Sequence, residues 1–419
     1  VVRPRSTEEV QTILRWASTH RIAVIPRGMG TGLSGGATAL DGAIVLSTEK
    51  MRDITVDPVT RTAVVQPGLL NAEVKRAAAE HGLWYPPDPS SFEICSIGGN
   101  IATNAGGIRV IRYGNTREWI AGLKVVDGRG EVLELNRGLV KNSSGYDLRH
   151  LFIGSEGTLG IVVEATLKLT DPPPPANTML LALPSFEVLM QVFAAFRERL
   201  RLEAFEFFTD VALKHVLAHG AQPPFAESYP YYVVTEYAAG DEAGETAAMA
   251  AFEHGMEQGW IVDGVIAQSG AQAQQLWRLR EGITEAVARY RPYKNDVSVR
   301  ISAMPAFLGE VQALLGEAYP DFEVVWFGHI GDGNLHINVL KPDAWDDASF
   351  VAACEKVTKL LADVLHRHGG SISAEHGIGL VKKPYLGSTR SAAEIAAMRG
   401  IKAVLDPNGI LNPGKLFDP

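Results

Sequence analysis

Apolar residues recur along this chain in two rhythms, one of helices and one of strands. From Thr7 to Ala17 they fall at Val10, Ile13, Leu14 and Ala17, the stripe of one helical face. Ser6 precedes that stripe and Glu9 follows three residues later, which predicts a capping box. Short runs at Ile22–Ile25, Ala43–Leu46 and Ala63–Gln66 predict strands, and Leu69–Glu80 predicts a helix stopped near Gly82. Leu167-Lys168-Leu169 alternates as a strand does. Asp171-Pro172-Pro173-Pro174-Pro175 then forms a stiff, extended segment with few backbone donors. We read it as a domain boundary; an ordinary surface loop is the other reading.

Beyond the prolines the pattern predicts strands at Met179–Leu183, Tyr231–Glu236 and Trp260–Ala267, with helices at Phe186–Leu200, Glu242–Gln258 and Ala271–Tyr290. Glu323–Gly328 and Leu335–Val339 predict two strands able to pair, followed by helices at Phe350–His368 and Ala392–Leu405. Strands alternating with amphipathic helices indicate an α+β layer with helices on one face.

Length and charge narrow the classes. A chain of 419 residues with 46% hydrophobic content suits two or three packed domains and excludes a disordered or fibrous protein. A net charge of −9 argues against nucleic acid as a partner. No apolar run reaches the ~18 residues of a membrane span. Cys95 and Cys354 are the two cysteines, so there is no disulfide framework or cysteine zinc site, and a reducing compartment is expected. The chain starts at Val1 just before a capped helix, and we expect further residues, with any targeting signal, ahead of it.

Glycine gathers in three segments of the first part. Pro26-Arg27-Gly28-Met29-Gly30-Thr31-Gly32-Leu33-Ser34-Gly35-Gly36 contains the letters of a dinucleotide fingerprint at Gly30, Gly32 and Gly35. That fingerprint requires a helix at once and then a parallel strand. The next strand is predicted near Ala43, too soon for a crossover of about a dozen residues, which excludes a Rossmann unit. A loop of small residues remains, whose amides can approach a diphosphate; a Gly-rich turn between two strands also fits. The second segment, Ser96 to Gly107, adds the amides of Asn100 and Asn104 and follows a rigid turn at Pro86-Pro87-Asp88-Pro89-Ser90-Ser91. The third runs from Lys141 to Asp147 and on through Gly154-Ser155-Glu156-Gly157-Thr158-Leu159-Gly160. Together they suit a large phosphate-bearing cofactor held mainly by backbone.

These three segments resemble the FAD-binding domain of the vanillyl-alcohol-oxidase/PCMH superfamily, and more narrowly the D-2-hydroxyacid dehydrogenases, over nearly the whole chain. The resemblance implies a PCMH-type FAD-binding domain of two subdomains at residues 1–175. It further implies a substrate or cap domain with an antiparallel sheet at 176–380, and a C-terminal segment, 381–419, returning to the flavin. It implies that FAD is held by Arg27, Gly28, Gly30, Thr31, Gly32, Gly35 and Gly36, and by Pro87, Asp88, Ser91, Ser96, Gly98, Gly99, Asn100, Ala102, Thr103, Asn104, Gly106 and Gly107. Tyr113, Glu156, Gly157, Gly160, Ile161, Val162 and Asn412 complete that set. The first glycine loop has no His, so FAD is expected without a covalent tether, and Cys95 is expected as a small core residue.

A second constellation lies at Trp326 to Val339. If Leu335 to Val339 is a strand, His336 and Asn338 share one face and the apolar residues the other. His329 precedes a tight Gly331-Asp332-Gly333-Asn334 turn that can fold it back beside His336. Glu375 would complete a two-His, one-carboxylate set with a coordination position left open, the catalytic pattern. Zn²⁺ is expected, although Mn²⁺, Fe²⁺ and Co²⁺ suit the same ligands; two hydrogen-bonded histidines of a buried turn also fit. The resemblance implies that His329, His336 and Glu375 bind a metal and that His376 is the base, while capping of the following turn is the other reading of His376. Arg280 and Thr284, four apart, share a helical face with Lys294 following, a natural carboxylate site as much as an ordinary charged surface. The resemblance implies that Arg280, Thr284 and Lys294, with Asn338, hold the substrate.

The expected activity is FAD-dependent oxidation of a small D-2-hydroxy acid, closest to the D-2-hydroxyglutarate dehydrogenases. D-lactate or glycolate oxidation, non-redox chemistry like that of alkyl-glycerone-phosphate synthases, and a zinc-stabilised binding module are the alternatives. The sequence does not name the electron acceptor, with an electron-transfer flavoprotein or a quinone among the candidates, or the oligomeric state, with a homodimer among them. A cytoplasmic location is expected, mitochondrial in a eukaryote.

Overall fold

The computed structural model describes residues 1–240 and 242–418 and divides the chain into two units. The first contains Val1–Gly107, Tyr113–Pro172 and the chain from Glu375 on; the second contains Ile108–Arg112 and Pro173–Ala374. The first division falls inside the proline run. The second falls at 374/375, a few residues ahead of the expected 380, so Glu375 to Leu380 join the first unit.

The first unit carries two sheets. Strands β1 (Val24–Arg27) and β2 (Ile44–Ser47) pair in parallel. The C-terminal tail joins them, since Leu411 bridges Val24 and Asn412 N–H donates to the Val24 carbonyl. Five antiparallel strands form the other sheet: β3 (Ile54–Asp57), β4 (Thr62–Val65), β5 (Ile120–Asp127), β6 (Val132–Leu135) and β7 (Gly160–Lys168), in the order β3-β4-β7-β5-β6. Val10, Leu14 and Ala17 of helix Thr7–His20 pack with β1, β2 and Ile410 in one core. Val74, Ala78, Ile97 and Ile101 pack on the larger sheet in another. At the first helix Ser6 accepts the Glu9 amide, but the Glu9 carboxylate takes the Arg5 amide, so only half of the expected capping box forms.

The second unit is built on seven antiparallel strands: β8 (Ala176–Leu183), β9 (Leu202–Thr209), β10 (Tyr231–Ala238), β11 (Asp263–Ile266), β12 (Tyr293–Ser298), β13 (Val324–Gly328) and β14 (Asn334–Val339). Their order is β11-β8-β10-β9-β13-β14-β12. Helices Asp210–Ala218, Gly270–Glu281 and Ile283–Val287 cover one face through Leu213, Leu276, Trp277 and Ile283, packed on Phe208, Tyr232, Val325 and Phe327. Phe205 points to the other face, against Phe193 and Phe196 of helix Leu189–Arg199. The long helix expected over Ala271–Tyr290 is divided at Gly282. Among the described residues no helix is long and apolar enough to cross a membrane.

Candidate functional site

The glycine segments meet in the first unit. β1 ends at Arg27, and residues 28–43 lead to β2 without a helix. The parallel pairing of β1 and β2 overturns the expectation that the connection is too short for parallel strands, but the missing helix still excludes a Rossmann unit. Gly28 lies against Ser96, whose Oγ accepts the Gly99 amide at the start of helix Ile97–Thr103. A Cβ on Gly28 would sit 2.2 Å from that oxygen. Gly107, at φ +143°, leaves room for the Asp88 carbonyl, which a Cβ would approach to 2.0 Å. The Glu156 amide donates to Ala102 and the Gly154 amide to Ile101, and Gly157 packs on Pro26, so the third segment touches the other two.

The C-terminal part of the same unit closes round this cluster. Both oxygens of the buried Glu156 carboxylate accept backbone amides, from Ile378 and Gly379, each at 2.8 Å. Burial pushes that carboxyl upward, and the two amides oppose the shift. Asn412 donates through Nδ2 to the carbonyls of Gly36 (3.0 Å) and Glu156 (2.7 Å). Its Oδ1 is buried without a hydrogen-bond partner, as is Nδ2 of Asn100. One orphan acceptor and one orphan donor, in a unit whose glycine loops admit close approach, fit a polar heterocycle with a phosphate-bearing tail.

Other residues expected at the cofactor also have partners within the protein. The Ile161 side chain lies in the core, so only its backbone remains for a cofactor, and Val162 packs partly against the larger sheet's core. Tyr113 packs edge-on to Trp84, and its carbonyl accepts the Trp119 indole N–H. Asp88 pairs with Lys75 at 2.8 Å, and Asn104 accepts the Arg117 amide. Cys95 is buried and burial raises its thiol pKa, which suits a core residue.

The second unit gathers its polar side chains on one sheet face. Register pairs Lys294 with Asn338 and Asp296 with His336, and Phe327 with both His336 and Phe208. Directly opposed residues share a face, and so do residues two apart. Lys294, Asp296, His336, Asn338 and Glu206 therefore lie on the face that the three helices cover. His336 Nδ1 is 3.8 Å from Asp296, which accepts from Asn334 Nδ2. His329, just past β13, has its ring 5.2 Å from that of His336 and nearly perpendicular to it. Its Nδ1 contacts Glu206 at 2.9 Å. Burial lowers the pKa of Lys294.

Residues 371–374 run along β12, with bridges from Ser371 to Ser298 and from Ser373 to Asp296. Glu375 and His376 follow directly. Within the second unit, Asp296 and His336 each turn a ligand atom to within 4.8 Å of the other's. An imidazole and a carboxylate facing each other across paired strands are donors fit for a divalent ion.

Arg280 is 6% exposed, turned inward from the end of its helix and stacked over Phe327 at 4.8 Å. Its Nη2 is 2.8 Å from Glu206, too bent for a hydrogen bond, so Nε and Nη2 remain buried without an acceptor. Thr284, beyond the break at Gly282, is exposed, so the two do not share one continuous helical face. Sequence reasoning assigned no role to Asp296 or Glu206. The alternation Lys294-x-Asp296, matching His336-x-Asn338, was the available signal for the first. Acids set among the apolar residues of Leu202–Thr209, Glu203 and Glu206, were the signal for the second.

Similarity to known proteins agrees with this arrangement. Residues 1–136 match the FAD binding domain family, and residues 172–416 match the C-terminal domain family of FAD linked oxidases. The chain is 74% identical over 419 residues to D-2-hydroxyglutarate dehydrogenase of Xanthomonas citri pv. viticola, covering 100% of this chain and 89% of that protein. It is 52% identical over 419 residues to the enzyme of the same name from Stutzerimonas stutzeri, covering 100% and 90%. In fold it is similar to p-cresol methylhydroxylase with substrate bound, at a TM-score of 0.76 and 16% identity, covering 100% of this chain and 88% of that one. A glycine-lined first unit, a seven-stranded second unit and these matches lead to one conclusion: the chain belongs to the family of FAD-linked oxidases.

Proposed function

We propose that this chain oxidises a D-2-hydroxy acid, D-2-hydroxyglutarate first, to the 2-oxo acid, with FAD as the electron acceptor. The names of its relatives support the substrate, and Arg280 carries the reading within the chain itself. Buried donors without acceptors cost about 1–3 kcal/mol each, and a substrate carboxylate supplies the missing acceptors in the planar geometry a guanidinium favours. Lys294 and Asn338, paired across neighbouring strands, stand on one sheet face as further substrate contacts.

Bound FAD supplies the sink for the two electrons and the hydrogen that leave the alcohol carbon. A divalent ion, zinc first, would supply a Lewis acid for the substrate hydroxyl, with His329, His336 and Glu375 as its ligands. His376 takes the hydroxyl proton on a ring nitrogen, so forming the carbonyl leaves one proton on the protein. Arg280 fixes a carboxylate and with it the orientation of the carbon that is oxidised. In the first unit, the glycine segments with Asn100, Asn104 and Asn412 hold FAD without a covalent bond. A cytoplasmic enzyme reoxidised by an electron-transfer flavoprotein or a quinone completes the reading; the bacterial relatives support the location.

The test is anaerobic mixing of the yellow protein with each enantiomer of several 2-hydroxy acids. We expect D-2-hydroxyglutarate to bleach the flavin and the L-enantiomer not to. A chelator should abolish bleaching while the flavin stays bound. A flavin that no D-2-hydroxy acid reduces overturns the proposal.

A further inference from the structure

Glu206 is a carboxylate in the middle of β9, a strand buried along its whole length, and is itself 1% exposed. A lone charge there would be expensive, so its partners reveal its use. It has two. One is Nδ1 of His329 at 2.9 Å, and the other is Nη2 of Arg280 at 2.8 Å. Resting on the reading given above, the geometry points to Glu206 as a positioning residue that fixes which nitrogen His329 presents to a divalent ion.

A neutral imidazole has one N–H and one lone pair. When Nδ1 faces a carboxylate, the N–H sits there and the lone pair is left on Nε2. The same contact fixes the ring plane and makes the outward nitrogen a better donor. Arg280 serves the arrangement from the other side. Its guanidinium faces Glu206 in a fully buried strand whose other residues are Leu202, Glu203, Ala204, Phe205, Phe207, Phe208 and Thr209. Because the guanidinium contact is bent, Arg280 keeps Nε and Nη2 for another acceptor while it does so. One buried carboxylate thereby touches a candidate metal ligand and the candidate substrate clamp, and all three residues lie in the second unit.

The test uses the full-length FAD-loaded protein, stripped of metal and titrated with Zn²⁺ against a chromophoric chelator. Glu206→Gln keeps the volume and removes the charge. The expected result is a Zn²⁺ dissociation constant ten- to a hundredfold higher, the usual cost of losing such an outer partner, with flavin content unchanged and a shifted visible band in the Co²⁺ form. Arg280→Lys keeps the positive charge beside Glu206, so its Zn²⁺ affinity should stay within threefold of wild type while glutarate binding weakens. Should Glu206→Gln fail to retain FAD, Glu206→Asp draws the carboxylate back by one methylene and should weaken Zn²⁺ in the same sense. Wild-type Zn²⁺ affinity in the Glu206 variant that folds, or equal losses in Glu206→Gln and Arg280→Lys, would overturn the inference alone. A wild-type protein that takes up no divalent ion would overturn the metal reading and this inference with it.

Discussion

Gly28 offers a sharp test of why the first glycine loop lacks side chains. The only severe obstruction to a Cβ there is Ser96 Oγ, at 2.2 Å; the next atoms, Ser96 Cβ and Gly99 N, lie at 3.5 and 3.7 Å, ordinary contact distances. Gly28→Ala must therefore either strain the loop or turn the Ser96 hydroxyl away and lose its bond to the Gly99 amide. Overpacking costs about 1–3 kcal/mol, and a lost N-cap about 1 kcal/mol. At roughly 2–4 °C per kcal/mol for a unit of this size, Gly28→Ala should lower Tm by about 2–12 °C. Ser96→Ala alone should cost about 1 kcal/mol. The double variant lacks the obstructing oxygen, so it should be no less stable than Ser96→Ala, a departure from additivity of about 1 kcal/mol or more. Thermal unfolding of the flavin-free protein measures this cycle. FAD affinity, measured separately, should stay weakened in the double variant if Gly28 also makes room for the cofactor. Strictly additive stability losses, or an unchanged Gly28→Ala protein, would refute the packing argument.

Three further outcomes are expected. Arg280→Ala should raise KM for D-2-hydroxyglutarate by more than it raises KM for D-lactate; equal rises would exclude a clamp on the second carboxylate. Glu156→Gln keeps one acceptor for the amides of Ile378 and Gly379 and turns its NH2 toward the other. It should lower stability by about 1–3 kcal/mol, read as a fall in Tm, and an unchanged Tm would remove that carboxylate as the anchor of the turn. Cys354 is fully buried, and burial pushes its thiol up to about 11 from 9.0. The folded protein keeps a proton that the unfolded chain releases, so the contribution is complete below pH 9 and is lost as pH rises through about 11. The stability difference between wild type and Cys354→Ala, followed by urea unfolding, should therefore move against wild type by up to about 2–3 kcal/mol across that window; a change of opposite sign would be incompatible with this burial.

The elements legible in the sequence were those whose apolar and polar positions kept a regular spacing. Helix Ala392–Leu405 carries its capping box at Ser391 and Glu394 and begins and ends where the pattern places it. β14 shows the predicted alternation, since its partners leave His336 and Asn338 on one face. β9 was missed because all eight of its residues are buried, so no alternation between apolar and polar positions marks it. β5 was missed for a similar reason, with seven of its eight residues buried. The parallel β1–β2 pair was misjudged because the crossover rule presumes a regular connection with a helix, whereas an irregular glycine loop spans the same distance.

The same cause limited what could be read of the site. Sequence spacing identifies ligands that stand near one another along the chain, such as His329 and His336. It does not identify the acid that faces them from another strand. Asp296 meets His336 only because β12 and β14 pair in one register, and a slip of one residue would turn it to the opposite face. Glu206 meets His329 and Arg280 only because β9 and β13 are neighbours in the sheet order, although more than a hundred residues separate Glu206 from His329. Outer partners of this kind are set by topology, and topology becomes visible only when the strands are in place. An acid buried inside an otherwise apolar strand is the trace that topology leaves in the sequence, because such a residue is tolerated only where a fixed cationic or hydrogen-bonding partner awaits it. Read that way, Glu203 and Glu206 mark β9 as a strand bearing polar work on both faces. Glu203 meets Arg109, Arg112 and Arg201 at 3.7–3.9 Å, and Glu206 meets the imidazole and guanidinium of the candidate site.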